Sequence, residues 1–239
     1  MRLNLEPVNA SNRAMKTILL TGLVVGALGA AASVSRAATY GDATGDFTGG
    51  VGALDMTSVV INNDATTLSF TIHLAGDPNT ANWYNYYVGI SAVEGFGGNL
   101  NGPGGWGKNI QMSNGGMDHF IGAYPFWGGY SLLTWNGSSW VTTTGSASQT
   151  SSSVNFSVSL ASLGLSLGNT FKFDVWTSTS GADTVLDALS DTVARSWNSA
   201  PFDTGGNFLT YTLIPEPGTL TLLGFGALII GGIRRAVKR

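Results

Sequence analysis

The sequence predicts an all-β domain, a two-sheet β-sandwich of the jelly-roll or immunoglobulin-like kind, with an N-terminal signal helix and a C-terminal transmembrane helix. Three observations carry this. In the middle of the chain apolar and polar residues alternate: Leu68, Phe70, Ile72 and Leu74 against Ser69, Thr71 and His73, and Val154, Phe156, Val158 and Leu160 against Asn155, Ser157 and Ser159. That period sends one strand face to a core and the other to water. Gly, Asn and Asp punctuate the runs, with 34 glycines among 239 residues, which is turn chemistry. Both ends carry an apolar stretch beside basic residues. Many short strands between dense turns suit a sandwich.

Residues 1–37 read as a signal peptide. Lys16 precedes the apolar run 18–32, and Ser35 and Ala37 are the small residues of a cleavage site after Ala37. The run is short for a bilayer span, and Gly22, Gly26 and Gly29 disfavour a stable core helix. Met15 offers a second start, so residues 1–14 are either a start-site overcall or a long basic leader.

Residues 38–213 form the β-domain, long enough to bury a core without disulfides. Its predicted strands are 57–61, 68–74, 83–90, 108–113, 119–124, 130–135, 140–144, 154–160, 171–176 and 208–213. In 171–176, Phe171, Phe173 and Val175 face one way and Lys172, Asp174 and Trp176 the other. Asn62-Asn63-Asp64 divides two strands, and Asn136-Gly137 opens a hairpin connection. Residues 97–107 are a Gly/Asn/Pro loop and 146–153 a polar linker. Segments 160–167 and 183–195 are the helical pieces.

Residues 214–239 hold Pro215-Glu216-Pro217, an apolar run 218–233 and a basic end opened by Arg234 and Arg235. Sixteen residues make about 24 Å of helix at ~1.5 Å per residue, against a bilayer core of about 30 Å. Snorkelling arginines and local thinning complete the span. The basic tail stays cytoplasmic by the positive-inside rule, and the signal sends 38–213 to the other side.

Charged residues are only 10% of the chain, less than half the ~25% of an ordinary domain. Segment 38–213 sets Lys108, Lys172 and Arg195 against twelve acids. An acidic body argues against nucleic acid, which needs a basic surface. No cysteine is present, which excludes a disulfide framework, a thiolate metal site and a cysteine nucleophile.

The tail resembles the PEP C-terminal sorting signal of Gram-negative bacteria: tripeptide, short transmembrane helix, Arg-rich end. The resemblance implies that exosortase, a membrane protease-transpeptidase, recognises Pro215, Glu216 and Pro217, with Arg234 and Arg235 in the basic cluster, after export by the secretion translocon. It also implies a place on the outer side of the inner membrane, or at the cell surface once the tail is processed. Gly41-Asp42, Gly45-Asp46 and Leu54-Asp55-Met56-Thr57-Ser58-Val59 resemble the opening of glucodextranase C-terminal-like and family-nine-like carbohydrate-binding modules. Phe173-Asp174-Val175 and residues 187–191 are similar to the same group. This likeness implies a β-sandwich and, more loosely, sugar recognition, and carries no site residue across; the tail's resemblance implies an exopolysaccharide-associated protein.

Aromatic residues are the candidate ligand contacts. Trp83, Tyr84, Tyr86 and Tyr87 share one strand, Trp106 sits in the Gly-rich loop, and Trp127 and Tyr130 follow. Asn82, Asn85, Asn99, Asn101, Asn109, Gln111 and Asn114 interleave with them. Apolar platforms beside a few polar groups suit a sugar, so Trp83, Trp106, Trp127 and Tyr130 are the glycan candidates, and Trp106 or Trp127 is expected at the surface. The same rings also suit a core, and strand 83–90 fits that role better. Asp42 and Asp46 are candidate ligands for calcium, which takes oxygen donors; no other cofactor is expected. Asp183, Asp187 and Asp191 recur every fourth position and would share one solvated face of a helix. Neither set matches an EF-hand loop.

Catalytic signals are absent. Glu94 is the one glutamate of the middle region, whereas glycoside hydrolysis needs a carboxylate pair. No Gly-x-Ser-x-Gly, His-Glu-x-x-His or phosphate-loop motif occurs. His73 and His119 each stand alone. The expectation is a non-enzymatic, membrane-tethered envelope protein that binds or displays, either contacting glycan or serving as a structural matrix component.

Overall fold

The computed structural model describes residues 37–92, 109–113, 116–124, 129–143, 145–182 and 184–215. The predicted signal peptide, the transmembrane run, Trp106 and Trp127 lie outside them. No helix among the described residues is long and apolar enough to cross a membrane.

The strands, in chain order, are β1 (Ala38–Gly41), β2 (Met56–Asn63), β3 (Thr67–Leu74), β4 (Tyr84–Ser91), β5 (Ile110–Gln111), β6 (His119–Tyr124), β7 (Gly129–Trp135), β8 (Trp140–Thr143), β9 (Ser146–Gln149), β10 (Ser153–Ser159), β11 (Thr170–Thr179), β12 (Asp187–Ala188), β13 (Phe202–Asp203) and β14 (Leu209–Thr212). They build two antiparallel sheets in a sandwich-like arrangement. One has the order β1-β2-β3-β10-β9; the other runs β12-β11-β4-β6-β7-β8, with β14 on the first half of β11. A short parallel pair, β5 with β13, stands apart.

Local chemistry sets the hairpins. Between β2 and β3, Asp64 Oδ1 accepts the N–H groups of Thr66 and Thr67. Between β7 and β8, Asn136 Oδ1 accepts those of Ser138 and Ser139, and Gly137 takes φ 93°, a left-handed turn position where glycine avoids the Cβ clash.

The main core includes Ile61, Phe70, Ile72, Tyr86, Val88, Phe156, Phe171 and Phe173. Phe70 meets Phe173 edge-on at 5.9 Å, and Phe171 packs on Tyr211 at 5.8 Å. A second cluster joins Tyr87, Phe120 and Trp176 to Ile110, Met112, Met117, Val185, Ala188 and Phe202. Here β5, β13 and the segment around Val185 roof the second sheet. Strand β11 is therefore buried on both faces, not half-exposed as its alternation predicts. Gly89 makes room for this packing: a Cβ there would run into the Trp176 ring and lie 2.9 Å from Met117 Sδ. Asp174 ties the roof down. Its carboxylate accepts the Trp176 indole N–H, the Ser190 and Thr204 hydroxyls and the Val175 and Ser190 backbone N–H groups.

Three expectations are corrected. Segment 160–167 holds only a 3-10 turn, Ala161–Leu163, stopped by Gly164 at φ 64°. Segment 183–195 is not helical where it is described; it contains β12 and turns. Residues 184–189 are buried without a break, which a helix with one inward face would not achieve. Residues 146–153 are not a linker, because Ser146–Gln149 pairs with β10. All four of its side chains are exposed, so no apolar face marks the strand in the sequence.

Candidate functional site

Two features stand out on the described surface: a tryptophan-walled groove and a knot of carboxylates.

Trp83 precedes β4, and its carbonyl accepts the Ser180 N–H at 2.8 Å, which joins the start of β4 to the end of β11. Trp197 lies in a turn where Ser199 N–H donates to Ser196 O and Ser196 N–H to Ser199 Oγ. Arg195 fastens that turn. It donates to the carbonyls of Val185 (3.0 Å) and Ala200 (2.8 Å), stacks 4.8 Å over the Phe202 ring and approaches Asp191 at 3.8 Å. The rings then form a row. Phe47 meets Trp197 edge-on at 5.0 Å, Trp197 tilts against Trp83 at 5.8 Å, and Trp83 against Tyr84 at 4.7 Å. Trp83 is 36% and Trp197 40% exposed.

These two rings, with Thr179, Gly181, Ala182 and Asn198, line a shallow groove of about 430 Å³. It adjoins a recess of about 330 Å³ that adds Asn109, Thr184, Ser199 and Pro201. No carboxylate lines either part among the described residues. Flat apolar faces beside amides and hydroxyls can hold a polar molecule with apolar faces, as a sugar is.

Of the predicted glycan residues, Trp83 is in the groove, and Asn109 of the interleaved amides is beside it. Tyr130 packs towards the core instead, 6.0 Å from the Phe156 ring, with its hydroxyl buried. Trp106 and Trp127 lie outside the described residues. Tyr84, Tyr86 and Tyr87 are buried, as a core strand requires. Sequence reasoning passed over Trp197 and Asn198. Their signal was a bulky ring in a polar, turn-forming stretch, Ser196-Trp197-Asn198-Ser199.

The carboxylate knot joins both predicted acidic sets. One carboxylate oxygen each from Asp42, Asp46 and Asp187 lie within 4.8 Å of one another. Asp42 and Asp46 flank Gly45, which takes φ 85° and donates its N–H to both Asp55 oxygens at 3.0 Å. Asp42 N–H donates to Thr57 O, where β2 shifts register against β3. Asp187 comes from β12, and its Oδ2 accepts Met56 N–H at 2.6 Å. Burial, the Asp42 charge and the other acids push the Asp187 carboxyl up to about 9. Burial and the Asp46 charge push Asp42 up to about 7, and Asp46 is raised by burial and Asp55. Asp191 is not on a shared helix face with Asp187; it stands beside Arg195.

Comparison with protein-family models, with curated proteins and with solved structures finds no match for the chain.

Proposed function

We propose that this chain is an exported, membrane-tethered envelope protein whose sandwich, of the jelly-roll or immunoglobulin-like kind, binds exopolysaccharide or another glycan without chemical turnover. The observation that carries the binding is the Trp83–Trp197 pair, two half-exposed rings 5.8 Å apart on the wall of a groove. Large rings are costly to leave in water, and a pair held by Phe47 and Arg195 is preorganised for a ligand. Sugar C–H faces would lie on the rings, and Asn109 and Asn198 would meet hydroxyls.

The location rests on sequence order. The apolar run 18–32, read as a signal peptide, precedes the domain, and Pro215-Glu216-Pro217, an apolar run and basic residues follow it. This order supports sorting by an exosortase-type membrane peptidase. The domain reaches Ile214, held by Asn63, so the tripeptide follows it directly.

The test compares the full wild-type chain with a Trp83→Ala/Trp197→Ala double variant on a glycan array and on immobilised exopolysaccharide. Retention should fall at least about tenfold, which corresponds to about 1.4 kcal/mol, measured well below the Tm of both proteins, because each ring is also more than half buried and its removal lowers stability. Equal retention by the two proteins overturns the reading. Self-association with no retention by the wild type would make the chain a matrix component instead.

A further inference from the structure

Asp46 is only 9% exposed and Asp187 only 2%. Neither Asp46 oxygen makes a hydrogen bond of good geometry, nor does Asp42 Oδ2, and the N–H groups of Asp46 and Phe47 offset the Asp46 charge only in part, since burial still raises its pKa. Buried polar atoms in native proteins are paired, and buried charges are paired or hold a metal. The described cations do not fill this role. Arg195 is engaged by the Val185 and Ala200 carbonyls beside Asp191, and Lys172 lies over the Phe208 ring at 5.1 Å. Arg195 acts on Asp187 without forming an ion pair with it. The other side chains that act on Asp42 and Asp46, namely Asp55, Asp174 and Asp191, are acids, and the N–H groups of Ala43, Asp46 and Phe47 offset only part of the repulsion. A small cation would balance these charges.

We propose that Asp42, Asp46 and Asp187 bind one calcium ion, which clamps the turn after β1 to β12. Oxygen atoms within 4.8 Å of one another can share a single ion at Ca–O distances of about 2.4 Å. The donors are all carboxylate, with no imidazole or thiolate, which favours a hard cation over zinc or copper. Calcium accepts irregular shells of six to eight oxygens, whereas magnesium demands a near-ideal octahedron. Two ligands from one turn and a third from a distant strand suit the looser ion, and water can take the other positions. The unpartnered, nine-tenths buried Asp46 distinguishes this knot from an ordinary acidic patch.

The test titrates the full chain with calcium chloride, with magnesium chloride and EDTA as separate arms, and reads Tm and binding heat. Calcium at about one hundred times its dissociation constant should raise Tm by about 5–10 °C, and EDTA should reverse the rise. Asp46→Asn removes one repelling charge at constant shape. Its metal-free Tm should equal or exceed that of the wild type, while its calcium affinity drops at least tenfold. Asp42→Asn should behave alike, which covers the case where Asp46→Asn fails to fold. The proposal is overturned if wild-type Tm is the same in calcium and in EDTA, which would make the knot a set of proton-holding acids. It is overturned equally if Asp46→Asn and Asp42→Asn keep the full calcium response, or if magnesium gives the larger shift.

Discussion

The His119 ring lies almost wholly out of water, between the Thr134 hydroxyl and the Leu163 carbonyl. Its Nε2 is 3.1 Å from Leu163 O, a group that only accepts, so Nε2 carries the proton. The Nδ1 lone pair then accepts the Thr134 hydroxyl at 3.0 Å. The neutral ring is satisfied on both sides. Burial lowers its pKa below the usual histidine value, and the Leu163 carbonyl and Asp118 offset only part of that. The unfolded chain therefore takes up the proton first as pH falls. The stabilisation is complete above about pH 6.5 and is lost as pH drops towards the folded value. Urea midpoints should fall on acidification below that point. In His119→Gln this acid limb should be flatter, and an unchanged limb would show that other groups set it. The sequence presents His119 as a lone imidazole with no catalytic company, and the structure gives it a place in the packing.

Among the elements, β14 is tied to the first sheet by Asn63 and by Tyr40, whose hydroxyl donates to Thr210 O at 2.6 Å. Asn63, at the end of β2, donates from Nδ2 to the carbonyls of Asp64 and Ile214, both at 3.0 Å. Its Oδ1 accepts the Tyr211 hydroxyl at 2.8 Å and Ile214 N–H at 3.2 Å. These bonds tie the last strand of one sheet to the other sheet. Asn63→Ala leaves buried partners unpaired and should cost about 1–3 kcal/mol. Amide exchange should accelerate in Leu209–Thr212 before it does elsewhere, since an edge element that loses its ties opens locally. Uniform acceleration across the domain would contradict this role. Asn62-Asn63-Asp64 is legible in the sequence as a turn, but the residue that shapes the turn is Asp64. Asn63 belongs to the strand, and only the neighbouring sheet explains its amide. Strand β9 was hidden for the opposite reason, since an exposed edge strand of Ser, Ala, Ser and Gln has no buried apolar face to betray it.

For the whole molecule, the carboxylate knot and the groove are joined through the chain itself. Asp46 is followed by Phe47, whose buried ring supports Trp197, and backbone bonds run from Arg195 N to Asp46 O and from Thr48 N to Arg195 O. Calcium should therefore shift the tryptophan emission of the full chain. Phe47→Leu should keep the calcium-dependent rise in Tm and lose most of that shift, which would separate the coupling from the binding itself. The sequence alone determined the longer strands, β2–β4, β6–β8, β10, β11 and β14, and where the β2–β3 and β7–β8 hairpins turn. Those features depend on neighbours two to four positions away, through side-chain alternation and Asx and Gly turn geometry. It also singled out Asp42 and Asp46 in their loop and Trp83 at its strand end. It could not bring Asp187 to them, because that meeting depends on a contact such as Met56 with Asp187, 131 positions apart. The pairing of Trp197 with Trp83 and the double burial of β11 were hidden likewise. Alternation reports one buried face, whereas a roof laid over the second face, and the neighbours it delivers, come only from the register and packing of the sheets.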